Sequence, residues 1–220
     1  MGQSEAINPV FPRDTNPTRA MSAIRGNLAD VTARMATVAG GRSVNLVAVS
    51  KTKPAADVLA AYEAGQRHFG ENYVQELVEK APSLPSDIKW HFIGHLQTNK
   101  AKMVAAISNL YMVETVDSER LANALNRALP DNASPLRVLI QVNTSGEDGT
   151  YCIFLGCCNT FFAAKSGVEP SACATLARHI QSSCPKLRFS GVMTIGSVSQ
   201  SLNEDARPNP DFAVCGILLL

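Results

Sequence analysis

The stretch VNLVAVSKTKP, residues 44–54, decides how the rest of the chain is read. Val44, Leu46, Val47, Ala48 and Val49 make a short apolar run rich in β-branched residues, closed by Ser50-Lys51-Thr52 and by Pro54. Such a run between turn signals is a buried strand. Lys51 stands at its carboxyl end, and in α/β proteins ligands bind at the carboxyl ends of the strands. A lysine held there on an apolar wall loses hydration, a route to the neutral amine that forms imines with carbonyl ligands. The competing reading is a lysine whose stem lies on apolar surface while its head reaches water at the rim. The strand alone leaves both open.

On the N-terminal side, residues 1–16 carry two prolines and no periodicity, and read as a flexible arm. Asn16-Pro17 is an N-cap followed by proline at the first helical position. Ala20, Ile24, Leu28, Val31 and Met35 then form one apolar stripe of an amphipathic helix that stops near Gly40-Gly41. On the C-terminal side, residues 54–64 predict a helix with Val58, Leu59 and Tyr62 inward, stopped by Gly65. Strands are expected at 67–70, 89–94, 109–114, 135–143 and 187–193. Helices are expected from 71 to about 80, then at 98–107, 118–129 and 170–183. Strand and helix therefore alternate six times with short connections, which requires a parallel sheet. A (β/α) barrel fits this best, and an open Rossmann-like sheet is the alternative. No G-x-G-x-x-G or Walker A sequence is present, so nucleotide readings are weak.

Composition narrows the function classes. The 220 residues hold one large domain or two small ones, and 45% hydrophobic with 18% charged residues is ordinary for a globular protein. A net charge of +1 gives no support for a nucleic acid or an anionic membrane as partner. No apolar run approaches the roughly 20 residues that span a bilayer. The first residues lack the apolar core of a secretory signal, so a cytoplasmic location is expected. Cys152, Cys157 and Cys158 crowd one segment while Cys173, Cys184 and Cys215 are scattered. Without paired C-x-x-C and histidines, reduced thiols and no zinc site are expected.

The strand tips become informative together. AVSKTKP (48–54), FGENYVQE (69–76), WHFIGHLQTNK (90–100), QVNTSGED (141–148) and FSGVMTIG (189–196) resemble the pyridoxal phosphate homeostasis protein family. Its barrel is similar to the N-terminal domain of alanine racemase. The resemblance covers residues 17–148 and 165–196. It implies a protein that holds pyridoxal 5′-phosphate (PLP) as a lysine imine and has no robust catalytic activity. By position in AVSKTKP the imine lysine is Lys51, with Lys53 the solvated neighbour. The resemblance places Asn72 at the second tip near the cofactor and points His91 from the third strand toward the ring. The bland reading of His91 is a hydrogen-bonded core histidine. Thr194, at the sixth tip, either approaches the cofactor phosphate or caps its strand. His95, Gln97, Asn99 and Lys100 read equally well as a solvated helix start.

Two departures from the family stand out. Residues 149–164, GTYCIFLGCCNTFFAA, interrupt a loop that the family runs directly, and are apolar where a barrel-mouth loop is normally polar. This segment reads as translated intron or a gene-model error, and as an aggregation hazard. After Phe212 the resemblance ends, and residues 197–220 read as a divergent tail. The barrel, residues 17–196, is thus expected to be incomplete, about six of eight βα units. The resemblance implies a serine- and glycine-rich phosphate cup and an arginine facing the pyridine nitrogen, and these are expected to be missing here. An aggregation-prone product, monomeric where folded, is expected. Three functions follow: a non-enzymatic PLP holder, a PLP-dependent racemase-like enzyme, or an isoform that has lost function. A racemase would need a second domain and an opposing tyrosine, so the first is preferred.

Overall fold

The computed structural model describes residues 17–145, 167–196 and 212, which fall into two units. The expected arm at 1–16, the insertion at 149–164 and the tail at 197–220, Phe212 apart, lie outside the described residues.

The first unit holds α1 (Pro17–Ala39) and α2 (Ala55–Glu63). Helix α1 starts at the expected proline, whose fixed φ suits the first turn, and ends before Gly40 and Gly41 at φ 56 and 81. Ile24, Leu28 and Met35 of the expected stripe are half-buried, but Val31 is 44% exposed. The reason is length: α1 extends about 35 Å and its neighbour α2 about 13 Å, so α2 covers only part of the stripe. In α2, Val58, Ala60 and Ala61 are buried, whereas Leu59, expected inward, is exposed. Small alanines take its place on the packed face. Gln66 Nε2 donates to Leu46 O at 2.7 Å, tying the end of this helix turn to the approach of the first strand.

The second unit is a six-stranded parallel sheet: β1 (Ala48–Val49), β2 (His68–Glu71), β3 (Lys89–Phe92), β4 (Leu110–Val116), β5 (Leu136–Gln141) and β6 (Leu187–Met193). The strands lie side by side in chain order. A doubly wound sheet reverses its order at a switch point; this one does not, so the open Rossmann alternative gives way to an incomplete (β/α) barrel. The expected strand at 44–49 shrinks to a two-residue ladder, extended by Ser50 N donating to Gly70 O at 2.9 Å. Among the described residues β1 is paired on one side only, which leaves its apolar start with no ladder to join.

Helices α3 (Val74–Lys80), α4 (Ala101–Ala105), α5 (Glu119–Ala128) and α6 (Pro170–Ser183) follow β2, β3, β4 and β5. Alternation of side chains puts Phe69, Trp90, Phe92, Val113, Val138 and Ile140 on the helix side of the strands, all at 0 or 1% exposure. With Leu77, Val104, Leu121, Leu125 and Ile180 they form the core. Ser118 caps α5, its Oγ accepting from Leu121 N. The expected helix at 98–107 is split: a 3-10 turn, Thr98–Lys100, precedes the short α4. Among the described residues no helix is long and apolar enough to cross a membrane, and no cluster of His, Cys, Asp or Glu is arranged for a metal ion.

Candidate functional site at the strand tips

Lys51 lies two residues past the end of β1. Strand alternation puts it on the same face as Val47 and Val49. That face is the inner one, shared with Gly70: a Cβ on Gly70 would stand 2.9 Å from Ile93 Cδ1 and 3.3 Å from Val47 Cγ1. The apolar wall below Lys51 therefore exists, but it is open, because Val49 is 52% exposed and Lys51 itself is exposed. The desolvation expected from the strand is not found. What distinguishes Lys51 instead is that, among the described residues, its ammonium has no ion pair and no hydrogen-bond partner.

The β1–β2 register, Ala48 with Phe69 and Val49 with Gly70, carried two residues on, brings Lys51 alongside Asn72. Asn72 is half-buried, and its Oδ1 is buried without a hydrogen-bond partner. Gly94 stands against it on the other side. A Cβ at 94 would fall 2.0 Å from Asn72 O, so only glycine permits this approach of the β3 end to the β2 end. Gln141 Oε1, on the last residue of β5, is a second buried oxygen without a partner.

His91 sits one step lower. It pairs across from Gly70, which pairs with Val49, so its level on the sheet is about 7 Å below that of Lys51 and Asn72. Its ring is 4% exposed and both nitrogens are engaged: Nδ1 lies 2.5 Å from Glu114 Oε1, and Nε2 lies 2.8 Å from His68 Nδ1. Tyr111 packs beside both rings. Burial lowers the His68 pKa below its ordinary 6.5, helped by the charges of His91 and Lys89. With neutral rings the donors run one way, from His68 Nδ1–H to His91 Nε2 and from His91 Nδ1–H to Glu114. His91 is thus a hydrogen-bonded interior histidine on the inner face.

Thr194 Oγ1 donates to Val142 O at 3.0 Å and lies 2.7 Å from Thr144 Oγ1. Since the Thr194 proton goes to Val142, Thr144 is the donor of that pair. The geometry is that of a strand cap joining β5 to β6. His95 reaches Asp117 Oδ2 at 3.4 Å beyond β3 and β4.

Sequence reasoning missed the network that surrounds the backbone of Lys51. Lys80 Nζ donates to Ser50 O (2.9 Å), Glu71 Oε1 (2.8 Å) and Glu76 Oε2 (2.7 Å). Ser50 Oγ donates to Glu71 Oε1 at 2.7 Å, and Thr52 N donates to Glu76 Oε2 at 2.8 Å. Glu71 is fully buried, with Ser50 and Lys80 nearly so. Burial works against the Lys80 charge, but the hydrogen bonds it donates to both carboxylates, with their charges, together outweigh it and raise its pKa above 10.5. The Glu76 carboxyl is held below 4.5: burial is the largest single influence and pushes upward, but the hydrogen bonds it accepts from Lys80 and Thr52, with the Lys80 charge, together outweigh it. A signal did exist: Glu76 and Lys80 are an i,i+4 pair in the expected helix.

The sequence and the fold match known proteins. The family model for the alanine racemase N-terminal domain matches residues 21–213. The pyridoxal phosphate homeostasis protein of Bos taurus is 50% identical over 176 residues, covering 77% of this chain and 58% of that protein. Its namesake in Schizosaccharomyces pombe is 44% identical over 194 residues, covering 88% and 74%. The chain thus spans little more than half the length of the bovine relative. Among solved structures, PipY of Synechococcus elongatus with PLP bound is 30% identical at a TM-score of 0.62, covering 89% of this chain and 81% of that one. Alanine racemase from E. faecalis, 18% identical at a TM-score of 0.65 over 91% of this chain and 49% of its own, shares the fold. The chain belongs to the pyridoxal phosphate homeostasis protein family, built on the alanine racemase N-terminal domain.

Proposed function

We propose that the chain binds PLP by covalent attachment at Lys51 and serves PLP homeostasis in the cytoplasm as a holder rather than a racemase. The observation that carries this reading is the state of Lys51. It is an exposed primary amine without a partner among the described residues, at the carboxyl end of a barrel strand, while Lys80 close by is locked in ion pairs. The residues present fit the aldehyde end of the cofactor. PLP supplies an aldehyde that condenses with a lysine amine, releasing water, and a ring that draws electrons. Lys51 provides the amine, and Asn72 Oδ1, buried and unpaired, accepts a hydrogen bond beside it. His91 supports the inner face from below through Glu114 and His68. Thr194 acts as the cap of β6. A holder agrees with the names of the relatives at 44–50% identity, whereas the racemases resemble this chain at 14–18%.

The test is to mix the 220-residue protein with PLP, follow visible absorbance, trap with borohydride and map the labelled peptide. Label on Lys51, lost in Lys51→Ala and kept in Lys53→Ala, is the expected result. Unlabelled Lys51 would overturn the proposal, and alanine racemisation would replace the holder by an enzyme.

A further inference from the structure

The two residues flanking Lys51 are held more tightly than a strand tip requires. Ser50 is fixed at three atoms: N to Gly70 O, Oγ to Glu71 and O to Lys80 Nζ. Thr52 is fixed by its N–H to Glu76. Thr52 also adopts φ 61, a left-handed conformation disfavoured for a β-branched residue and maintained only where surrounding contacts enforce it. All three protons of the Lys80 ammonium are engaged, and each of its acceptors leads back to the Lys51 backbone. Ser50 O is that backbone, Glu71 binds the Ser50 hydroxyl, and Glu76 binds the Thr52 amide. Among the described residues, the Lys51 side chain makes no hydrogen bond or ion pair with any of these groups. Contacts this concentrated on a residue's two neighbours, with the residue itself left free, fit a mount for its amine.

We infer that Glu76, braced by Lys80 and Glu71, is a positioning residue that holds the 50–52 turn so that the Lys51 amine meets an incoming aldehyde. The inference rests on the attachment at Lys51 proposed above. Fixing one end of a flexible lysine removes conformations that the reaction would otherwise have to exclude. The left-handed Thr52 sets where the chain turns away from the amine.

Glu76→Ala is the decisive variant, because Glu76 is only half-buried and Lys80 keeps Glu71 and Ser50 O as partners. Two readouts separate positioning from bulk stability. The first is hydrogen exchange at the Thr52 amide without PLP. The second is PLP affinity, with borohydride labelling mapped to Lys51. The expected result is faster Thr52 exchange and roughly tenfold weaker PLP capture, the size of one charge-assisted hydrogen bond, with the melting temperature nearly unchanged. Glu76→Gln, which returns an acceptor to Thr52, should recover part of the affinity. Unchanged Thr52 exchange would overturn the inference, and so would faster exchange with PLP capture intact. Failure of the unsubstituted protein to label Lys51 would instead remove the attachment on which it rests, whatever the exchange data show.

Discussion

Glu114 Oε1 and His91 Nδ1 lie 2.5 Å apart on the inner face of the sheet, and this contact orders the hydrogen bond between His91 and His68. With Nδ1–H committed to Glu114, His91 offers Nε2 as an acceptor, and His68 donates to it in the neutral form.

Stability should therefore depend on pH through His68. Its folded pKa is lowered, by burial first and then by His91 and Lys89, so the unfolded chain binds the proton more readily. The His68 contribution is complete above pH 6.5 and is lost as pH falls through 6.5 toward the lower folded value. The melting temperature should decline over that window, and His68→Gln should flatten the decline. An identical profile for the variant would count against this assignment.

Removing the middle of the chain should cost more than removing its end. His91→Ala leaves Glu114 and His68 facing a buried gap, and we expect a loss of about 2–4 kcal/mol in urea unfolding. A loss below that of an ordinary surface change would show that the ring contacts contribute little.

Gly94→Ala tests the closeness of the β2 and β3 ends. The new methyl would meet the Asn72 backbone oxygen at 2.0 Å, and a carbonyl cannot move aside as a flexible side chain can. A loss of about 1–3 kcal/mol is expected, with weaker PLP labelling of Lys51 because Asn72 shifts beside it. Wild-type labelling in a folded Gly94→Ala protein would separate Asn72 from the site.

Cys173 and Cys184 are buried thiols, and burial raises both pKa values, for Cys184 with a contribution from Glu119. Both should resist alkylation at neutral pH in the native protein and react quickly in denaturant. Mass mapping of iodoacetamide adducts reads this directly, and fast native labelling of either would contradict the packing of α6.

Much of the fold was legible because its signals are local. Pro17, Ser118 and Gly65 mark helix ends by backbone chemistry that needs no partner, and they stand where expected. Strand length was less legible, since residues 44–49 read as one apolar run while only Ala48 and Val49 find a ladder. Leu59 and Val31 were misplaced because periodicity names a face without saying how far a neighbour covers it. Among the candidate site residues, Lys51 and Asn72 are proposed from motif order alone. The Lys80 network could not be, because in the sequence Glu71 reads as a helix start and Ser50 as a turn residue. Their meeting depends on the β1–β2 register, which no single segment encodes.

The sequential strand order has a consequence for how the chain acquires its fold. From β1 to β5, each new strand pairs with one only about 20 to 25 residues earlier, so the sheet can grow from one edge as the polypeptide leaves the ribosome. The last step differs. Residues of β6 pair with partners in β5 about 50 positions back, twice the earlier span, at an added loop-closure cost of well under ~1 kcal/mol. The longer β5–β6 connection is thus nearly free at equilibrium, but it makes docking of β6 the least local event of assembly. Until that strand arrives, the β5 edge stands unpaired, and molecular chaperones that shield open sheet edges have their clearest opportunity there.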